Sequence, residues 1–322
     1  MKKTKTQIIW DISDLSNYKI PKKSVMCIGN FDGIHQGHRA VIYEGKRISD
    51  KSKKPLCILS FLPHPRLLLN SKNFFILTDI IQKIGILGNM NTEYIILLNF
   101  AKIMNMEADE FCGFLDKNFD PDYICTGFDF SFGKGAKGNA EYIKKYFERL
   151  GKGVKIVEKV STEAGDEKIS SSYLRKLIFS GNVSEYISLV GRPYLIRGTV
   201  VKGSGRGKKI GVPTANITTT YKLPPHGVYA SLVKIQGEPK YIYSVSNIGY
   251  QPTFNSFRET LETHILDFSQ EIYGKKIEVM FVKYLREIKK FNSPDELVNQ
   301  IKEDIRKSRL VLDEISEIIT QY

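Results

Sequence analysis

The 322-residue sequence has one tryptophan, four cysteines and five histidines. It has no apolar run approaching the roughly 20 residues that a membrane-spanning helix needs. The longest candidates, "YIILL" and "IGIL", are the size of core strands or helix segments. The opening "MKKTKTQIIW" is basic, but no apolar stretch follows it, so it does not read as a signal peptide. Cys27, Cys57, Cys112 and Cys125 are scattered, mostly within apolar segments and without a CxxC pair. That spacing argues against a disulfide frame or a zinc site and for reduced core thiols in a cytoplasmic protein. Internal repeats and low-complexity tracts are also missing. Acidic residues are in the minority, 35 against 48 Lys and Arg, giving a formal net charge of +13. An anionic partner is implied, either nucleic acid or a small phosphorylated substrate. The positive charge runs the length of the chain (Lys2, Lys3, Lys22, Lys23, Lys53, Lys54, Lys289, Lys290), which is the pattern of a solvated basic surface more than of a nucleic-acid footprint.

The length suffices for two domains, each with its own core. In the first half, strand-like runs ("VMCIGNF", "PLCILSFLP", "EYIILLNF", "DYICTGFDF", "VKIVEKV") alternate with helix-like segments such as "TDIIQKIGILGNM", "EADEFCGFLDKNF" and "NAEYIKKYFERLG". Such alternation predicts βαβ units on a parallel sheet, with ligands beyond the carboxyl ends of the strands. After about residue 185, "YLIRGTVVKG", "GVYASLVKIQ", "KYIYSVSNIG", "ETHILDF" and "KKIEVMFVKYL" follow one another without helical gaps. This spacing predicts a small antiparallel barrel. A long final helix is expected, with Ser293 as N-cap, Pro294 first and Glu296 completing a capping box. The boundary falls near residues 188–194, giving domains 1–187 and 188–322.

Two of the five histidines stand three apart in "GNFDGIHQGH", at a predicted strand-to-helix junction. A helix starting near Gly37 would point free N–H groups and the positive dipole end beyond the strand, and Gly33 and Gly37 permit close backbone approach to a phosphate. His35 and His38 could then stabilise charge growing on an α-phosphate without a covalent intermediate. HxGH is the signature of nucleotidyltransferases that pass AMP from ATP to an acceptor; a glycine-rich turn with two exposed imidazoles is the bland reading. In "ISSSYLRKL", Ser170 or Ser171 caps a helix bearing Ser172 and Arg175, suited to the same phosphates. "GKGAKG" fits G-x-G-x-x-G, but Asn139 reads as the N-cap of the next helix. All three glycines then stay in the loop, against a nicotinamide site.

The second half carries "KGSGRGKKIGVPTAN", a basic glycine-rich loop without Walker A spacing. Thr214 and Asn216 offer two neutral oxygens to a hard cation that shares phosphate ligands, though a strand-entry turn explains "PTAN" as well. Glu262 and His264 alternate along a strand and so share a face.

The ordered motifs "CIGNFDGIHQGH", "FLPHPR", "GFDFSFGKGAKGN", "ISSSYLR", "GRPYLIRGTVVKGSGRGKKIGVPTANI", "SNIGYQPTF", "ETHILDF" and "LREIKKF" resemble bacterial bifunctional riboflavin kinase/FAD synthetase over nearly the whole chain. The resemblance implies an N-terminal Rossmann-like α/β nucleotidyltransferase domain with a parallel sheet, making FAD from FMN and ATP. It further implies a C-terminal β-barrel, closed by a long helix, that phosphorylates riboflavin to FMN. Carried over, His35, His38, Arg175 and Glu262 are catalytic, with Glu262 as base. Gly29, Phe31, Gly37, Ser171, Ser172, Gly205, Gly207 and Lys208 bind ATP and its phosphates. Asp129, Phe132 and Arg286 contact flavin, and Thr214 and Asn216 hold Mg²⁺ with ATP. The expected partners are small molecules, with neither nucleic acid nor membrane, and self-association is left open. Two rivals remain: another HxGH nucleotidyltransferase, or a basic nucleic-acid-binding protein with degenerate ATP motifs.

Overall fold

Continuous aliphatic runs such as "VMCI" and "LCILSFL" suit strands covered on both faces, as parallel sheets require. The computed structural model describes residues 6–10, 21–69, 74–161, 168–203, 205, 207, 210–252 and 257–315. They form two compact units, Met1–Ser171 and Ser172–Tyr322.

The first unit contains β1 (Gln7–Trp10), β2 (Val25–Ile28), α1 (Gln36–Ser52), β3 (Leu56–Leu62), α2 (Pro65–Leu68), α3 (Ile80–Asn89), β4 (Tyr94–Asn99), α4 (Phe100–Ile103) and α5 (Ala108–Phe119). It continues with β5 (Tyr123–Gly127), a hairpin of β6 (Ser131–Phe132) and β7 (Gly138–Asn139), α6 (Ala140–Arg149) and β8 (Gly153–Val157). Six strands make one parallel sheet in the order β1-β4-β3-β2-β5-β8. The edge strand β1 lacks the long apolar run of its neighbours and was not legible as a strand. Alternate residues feed two cores. Met26, Ile28, Leu59 and Ile96 pack with Phe111, Phe119 and Phe147 of α5 and α6, while Val25, Cys27, Ile58 and Ile95 pack with Val41 and Ile42 of α1 and Leu87 of α3. All four cysteines are buried and free, as expected. Burial drives the Cys57 and Cys112 thiols up to about 12, so they stay protonated and inert.

The chain steps from β2 to β3 to β4 in one direction and then places β5 on the other side of β2. The crevice at such a reversal is where open α/β sheets bind ligands. The segments leaving β2 and β5 are "GNFDGIH" and "FDF".

The second unit opens with α7 (Ser171–Ser180, whose first residue closes the first unit) and α8 (Val183–Val190). Next come β9 (Tyr194–Val201), β10 (Ala215–Thr218), β11 (Gly227–Ile235), β12 (Ile242–Pro252), β13 (Phe257–Ile265), β14 (Lys276–Arg286) and α9 (Pro294–Glu314). The strands close into an antiparallel barrel in the order β10-β13-β12-β11-β14-β9. The units divide ahead of residue 188 because α8 belongs with the barrel: Ser184 Oγ donates to Val282 O at 3.3 Å, and Tyr186 meets Tyr194 edge to face. Ala230, Leu232, Met280 and Val282 pack outward with Leu312 of α9. Ser231, Ser244, Ser246 and Thr263 are fully buried and satisfy one another through hydroxyl contacts of 2.7–2.9 Å. Ser293 caps α9, accepting from Glu296 N at 3.2 Å, and Pro294 is its first residue. The Glu296 carboxylate reaches back to Asn292 N at 2.9 Å, one residue before the cap, so the reciprocal bond is displaced from a regular capping box.

Candidate active sites

In the first unit the backbone of "GNFDGIH" turns sharply, with Phe31 (φ 46°), Gly33 (φ 87°) and Ile34 (φ 41°) in the left-handed region. Two L-residues there are costly, and surrounding bonds hold them. The buried Asp32 carboxylate accepts from Leu77 N and Thr78 N at 3.0–3.3 Å. Asn30 O accepts from Ser60 Oγ at 3.1 Å and from Lys83 Nζ at 2.7 Å. Asp32 O accepts from Ser171 Oγ at 2.7 Å, which ties the "ISSS" segment to this loop. Burial lowers the Lys83 pKa while the Asp32 carboxylate opposes the shift, and the side chain is walled in beneath the loop. Its only signal in the sequence is a single cation inside the apolar helix segment "IIQKIGIL".

His35 is the N-cap of α1, with its Nδ1 accepting from His38 N at 3.3 Å. A ring that accepts at Nδ1 is neutral there and carries its proton on Nε2. The His35 and His38 rings stack at 3.8 Å, and Phe31 meets His38 edge-on at 5.4 Å. Phe31 in turn covers Gly29, where a β-carbon would lie 3.1 Å from the ring. A β-carbon at Gly37 is likewise 3.1 Å from His35 Cε1, tight enough to need a small shift of the ring. The structure thus brings Gly29, Phe31, His35, Gly37, His38 and Ser171 into one cluster at the N-terminus of a 17-residue helix. Ser172 is exposed and Arg175 is 6% exposed, both on α7.

The loop after β5 carries Asp129, whose carboxylate pairs with Lys168; the Lys168 ammonium also lies 4.4 Å from the Phe128 ring centre. Phe132 turns inward, packing 5.2 Å from Phe111 and 5.5 Å from Phe130. At 7% exposure it holds the β6–β7 hairpin on the core. Asn139 caps α6, accepting from Tyr142 N at 2.9 Å, and leaves the three glycines of "GKGAKG" outside the helix as expected.

On the barrel, register decides what meets what. Asn216 pairs with Glu262 across β10 and β13, and Asn247 pairs with Glu262 across β12 and β13. Asn216 also faces Val201, Asn247 faces Val228, and Val228 faces Arg286. Directly opposed residues share a face. One ring of side chains therefore runs Val201, Asn216, Glu262, Asn247, Val228, Arg286 around the outside. Val228 packs in an outer cluster with Ile305 of α9, which fixes that face as the outer one.

The loop before β10 leans on this ring. A β-carbon at Gly203 would come within 2.1 Å of Asn216 Nδ2 and 2.5 Å of its Cγ. Gly207 turns tightly, its carbonyl accepting from Val212 N at 2.9 Å, and the position of its missing β-carbon is 3.4 Å from Thr214 Oγ1. The His264 Nδ1 position lies 2.7 Å from Pro213 O and anchors the "PTAN" turn, a role that spacing alone did not reveal. Gly205 (φ 70°) lies in the same loop, and Lys208 falls outside the described residues. Thr214 and Asn216 present neutral oxygens, and no group of three His, Cys, Asp or Glu that could hold a metal occurs among the described residues. That donor set fits a cation arriving on nucleotide phosphates with most of its water, not one in a protein cage. Replacing Gly203 by alanine should push the Asn216 carboxamide aside and lower the phosphorylation expected of this half by up to roughly 100-fold, since a displacement of about 1 Å can cost that much. Steady-state rates on riboflavin at varied Mg–ATP would measure it, and unchanged constants would mean that Asn216 needs no fixed position.

Arg286 Nε and Nη2 donate to the Asp304 carboxylate at 2.7–3.1 Å and Nη1 to Glu287 O at 2.8 Å. Asp304 is almost fully buried, so this pair clamps α9 to the barrel.

Residues 17–173 match the family model described as FAD synthetase, and residues 190–312 the model described as riboflavin kinase. The bifunctional riboflavin kinase/FMN adenylyltransferase of Bacillus subtilis is 36% identical over 291 residues, 88% of this chain and 90% of that one. The chain belongs to the bifunctional riboflavin kinase/FMN adenylyltransferase family. The Escherichia coli member is 34% identical, with 87% of this chain and 90% of that one covered. A solved structure from Streptococcus pneumoniae, described as a macrolide-efflux protein, superposes with a TM-score of 0.84 at 33% identity, covering 94% of this chain and 99% of that one. Among the described residues no helix is long and apolar enough to cross a membrane. The family membership accounts for both halves at once: the parallel sheet with its histidine pair, and the barrel with its Asn216–Glu262 ring.

Proposed function

We propose that this chain phosphorylates riboflavin with ATP to give FMN and ADP, and then transfers AMP from a second ATP to FMN to give FAD and pyrophosphate. The observation that carries the reading is that the FAD synthetase and riboflavin kinase models match one half of the chain each, on two units of different build. Adenylyl transfer is assigned to residues 1–187 and phosphorylation to 188–322, and Mg²⁺ is the cation expected to accompany ATP.

In the first reaction the ribityl 5′-hydroxyl gives its proton to Glu262. The hydroxyl oxygen attacks the γ-phosphorus, and the bond to the β–γ bridging oxygen breaks to release ADP. Thr214 and Asn216 orient the cation-bearing phosphates, and the glycine loop covers them with backbone N–H groups. In the second reaction an FMN phosphate oxygen attacks the α-phosphorus, and the α–β bridge breaks to release pyrophosphate. His35 and His38 donate to the charge that develops there, helped by the N-terminal N–H groups of α1. Asp129, Ser171, Ser172 and Arg175 are assigned to flavin and phosphate positioning. The net positive charge suits anionic small substrates, and the reduced thiols suit a cytoplasmic setting.

The test supplies riboflavin and Mg–ATP to the full chain and separates flavins by chromatography. FMN should appear first and FAD after it. A fragment of residues 172–322, which keeps α8 on the barrel, should make FMN and no FAD. A folded fragment without kinase activity would count against the division, and a full chain yielding neither product would overturn the reading.

A further inference from the structure

The outer ring of the barrel has an order, and the order has a chemical consequence. Glu262 stands between Asn216 on β10 and Asn247 on β12, each directly opposed to it. Neighbouring strands are about 4.8 Å apart, so both carboxamides lie within a ligand's reach of the carboxylate. The Asn216 side is occupied by the phosphate machinery: the "PTAN" turn anchored by His264, and the loop whose Gly203 lies over the Asn216 carboxamide. A base that takes a proton from an attacking hydroxyl must have phosphate on one side and the alcohol on the other. The side left for the alcohol is that of Asn247.

One observation suits that side to a polyol. Glu262 and Asn247 are both half-buried, and neither side chain has a hydrogen-bond partner among the described residues. Gly249, two residues on and therefore on the same face, has no side chain; its missing β-carbon would sit 3.3 Å from Ile288 Cδ1 and 4.0 Å from Asn247 Nδ2, so the Ile288 side chain forms an apolar wall beside the carboxamide. A carboxamide has one acceptor and two donors, so it can both give to and take from a hydroxyl.

Resting on the assignment of Glu262 as the base, we propose that Asn247 is a specificity residue that hydrogen-bonds the ribityl hydroxyl adjacent to the one phosphorylated. It selects a vicinal polyol and turns the terminal hydroxyl towards Glu262. A terminal alcohol without that neighbour is held less well and attacks less often.

The test compares riboflavin with an analogue lacking only the hydroxyl next to the reacting one. The parent enzyme should phosphorylate the analogue with kcat/KM about tenfold lower, the worth of one hydrogen bond in a partly desolvated site. Asn247→Ala should lose about the same factor on riboflavin and treat the two substrates alike, with the KM for Mg–ATP and FAD synthesis from supplied FMN unchanged. A parent enzyme that does not discriminate overturns the proposal without needing a variant, and so does an Asn247→Ala enzyme that discriminates as the parent does. Failure of the base assignment is seen separately, as kinase activity surviving in Glu262→Gln. If Glu262→Gln is inactive and discrimination is still absent, only the role of Asn247 falls.

Discussion

Glu262→Gln is expected to lower riboflavin phosphorylation by roughly 100- to 10,000-fold, the usual worth of general-base help. A primary alcohol is a poor nucleophile at neutral pH, so its proton needs an acceptor as the bond to phosphorus forms. The carboxylate is carried on the middle of β13, paired on both sides by β10 and β12, and a strand so held positions it rigidly. Glutamine keeps the shape and most of the hydrogen-bonding capacity and removes the basicity. The loss should therefore appear in kcat, with flavin and Mg–ATP binding retained and FAD synthesis from supplied FMN intact. Single-turnover phosphorylation with riboflavin measures it, and a variant within a few-fold of the parent would make Glu262 a structural residue.

His38→Ala should remove FAD synthesis while sparing FMN formation. Losing one preorganised donor at a developing charge typically costs about 100- to 1000-fold. His38 is the cleaner of the two histidines to remove, because His35 also caps α1 through its Nδ1, and its loss would mix a folding effect with a chemical one. The His38 ring is aimed by the edge of Phe31 and the face of His35, and neither contact supports the helix backbone. The fall should be in turnover more than in ATP affinity, since the imidazole acts where charge grows in the transition state. FAD production from FMN within a few-fold of the parent would reduce His38 to a turn residue.

Such predictions concern pairs of residues far apart in the chain, which is where sequence and structure contributed differently. Local periodicity and turn chemistry carry over into structure wherever the interactions are short in range. The alternating runs and helices of the first half, the histidine pair at the β2–α1 junction, the Asn139 cap and the Ser293–Pro294 start of α9 all depend on neighbours within a few positions. The change to successive strands after residue 185 likewise announced the barrel.

Register and burial are long-range, and the sequence is mute about them. Nothing local says that Asn216 and Asn247 flank Glu262, because that follows from how three strands slide against one another before their hydrogen bonds lock. Nothing local says that Phe132 packs against Phe111 of α5, which only the folded core brings together, since apolar area is buried wherever packing allows. Nor does anything local say that Arg286 pairs with Asp304 of α9, a buried carboxylate that needs a counter-charge. Lys83 reads as an ordinary helix cation, yet the fold buries it against the histidine loop, where its Nζ donates to Asn30 O beside the left-handed Phe31. The sequence by itself determined which chemistries this chain has to work with and near which strand ends they lie. Tertiary structure decided which of those groups face one another and which are committed to holding the fold, because only closure of the sheet and the barrel sets distances between residues remote in the chain.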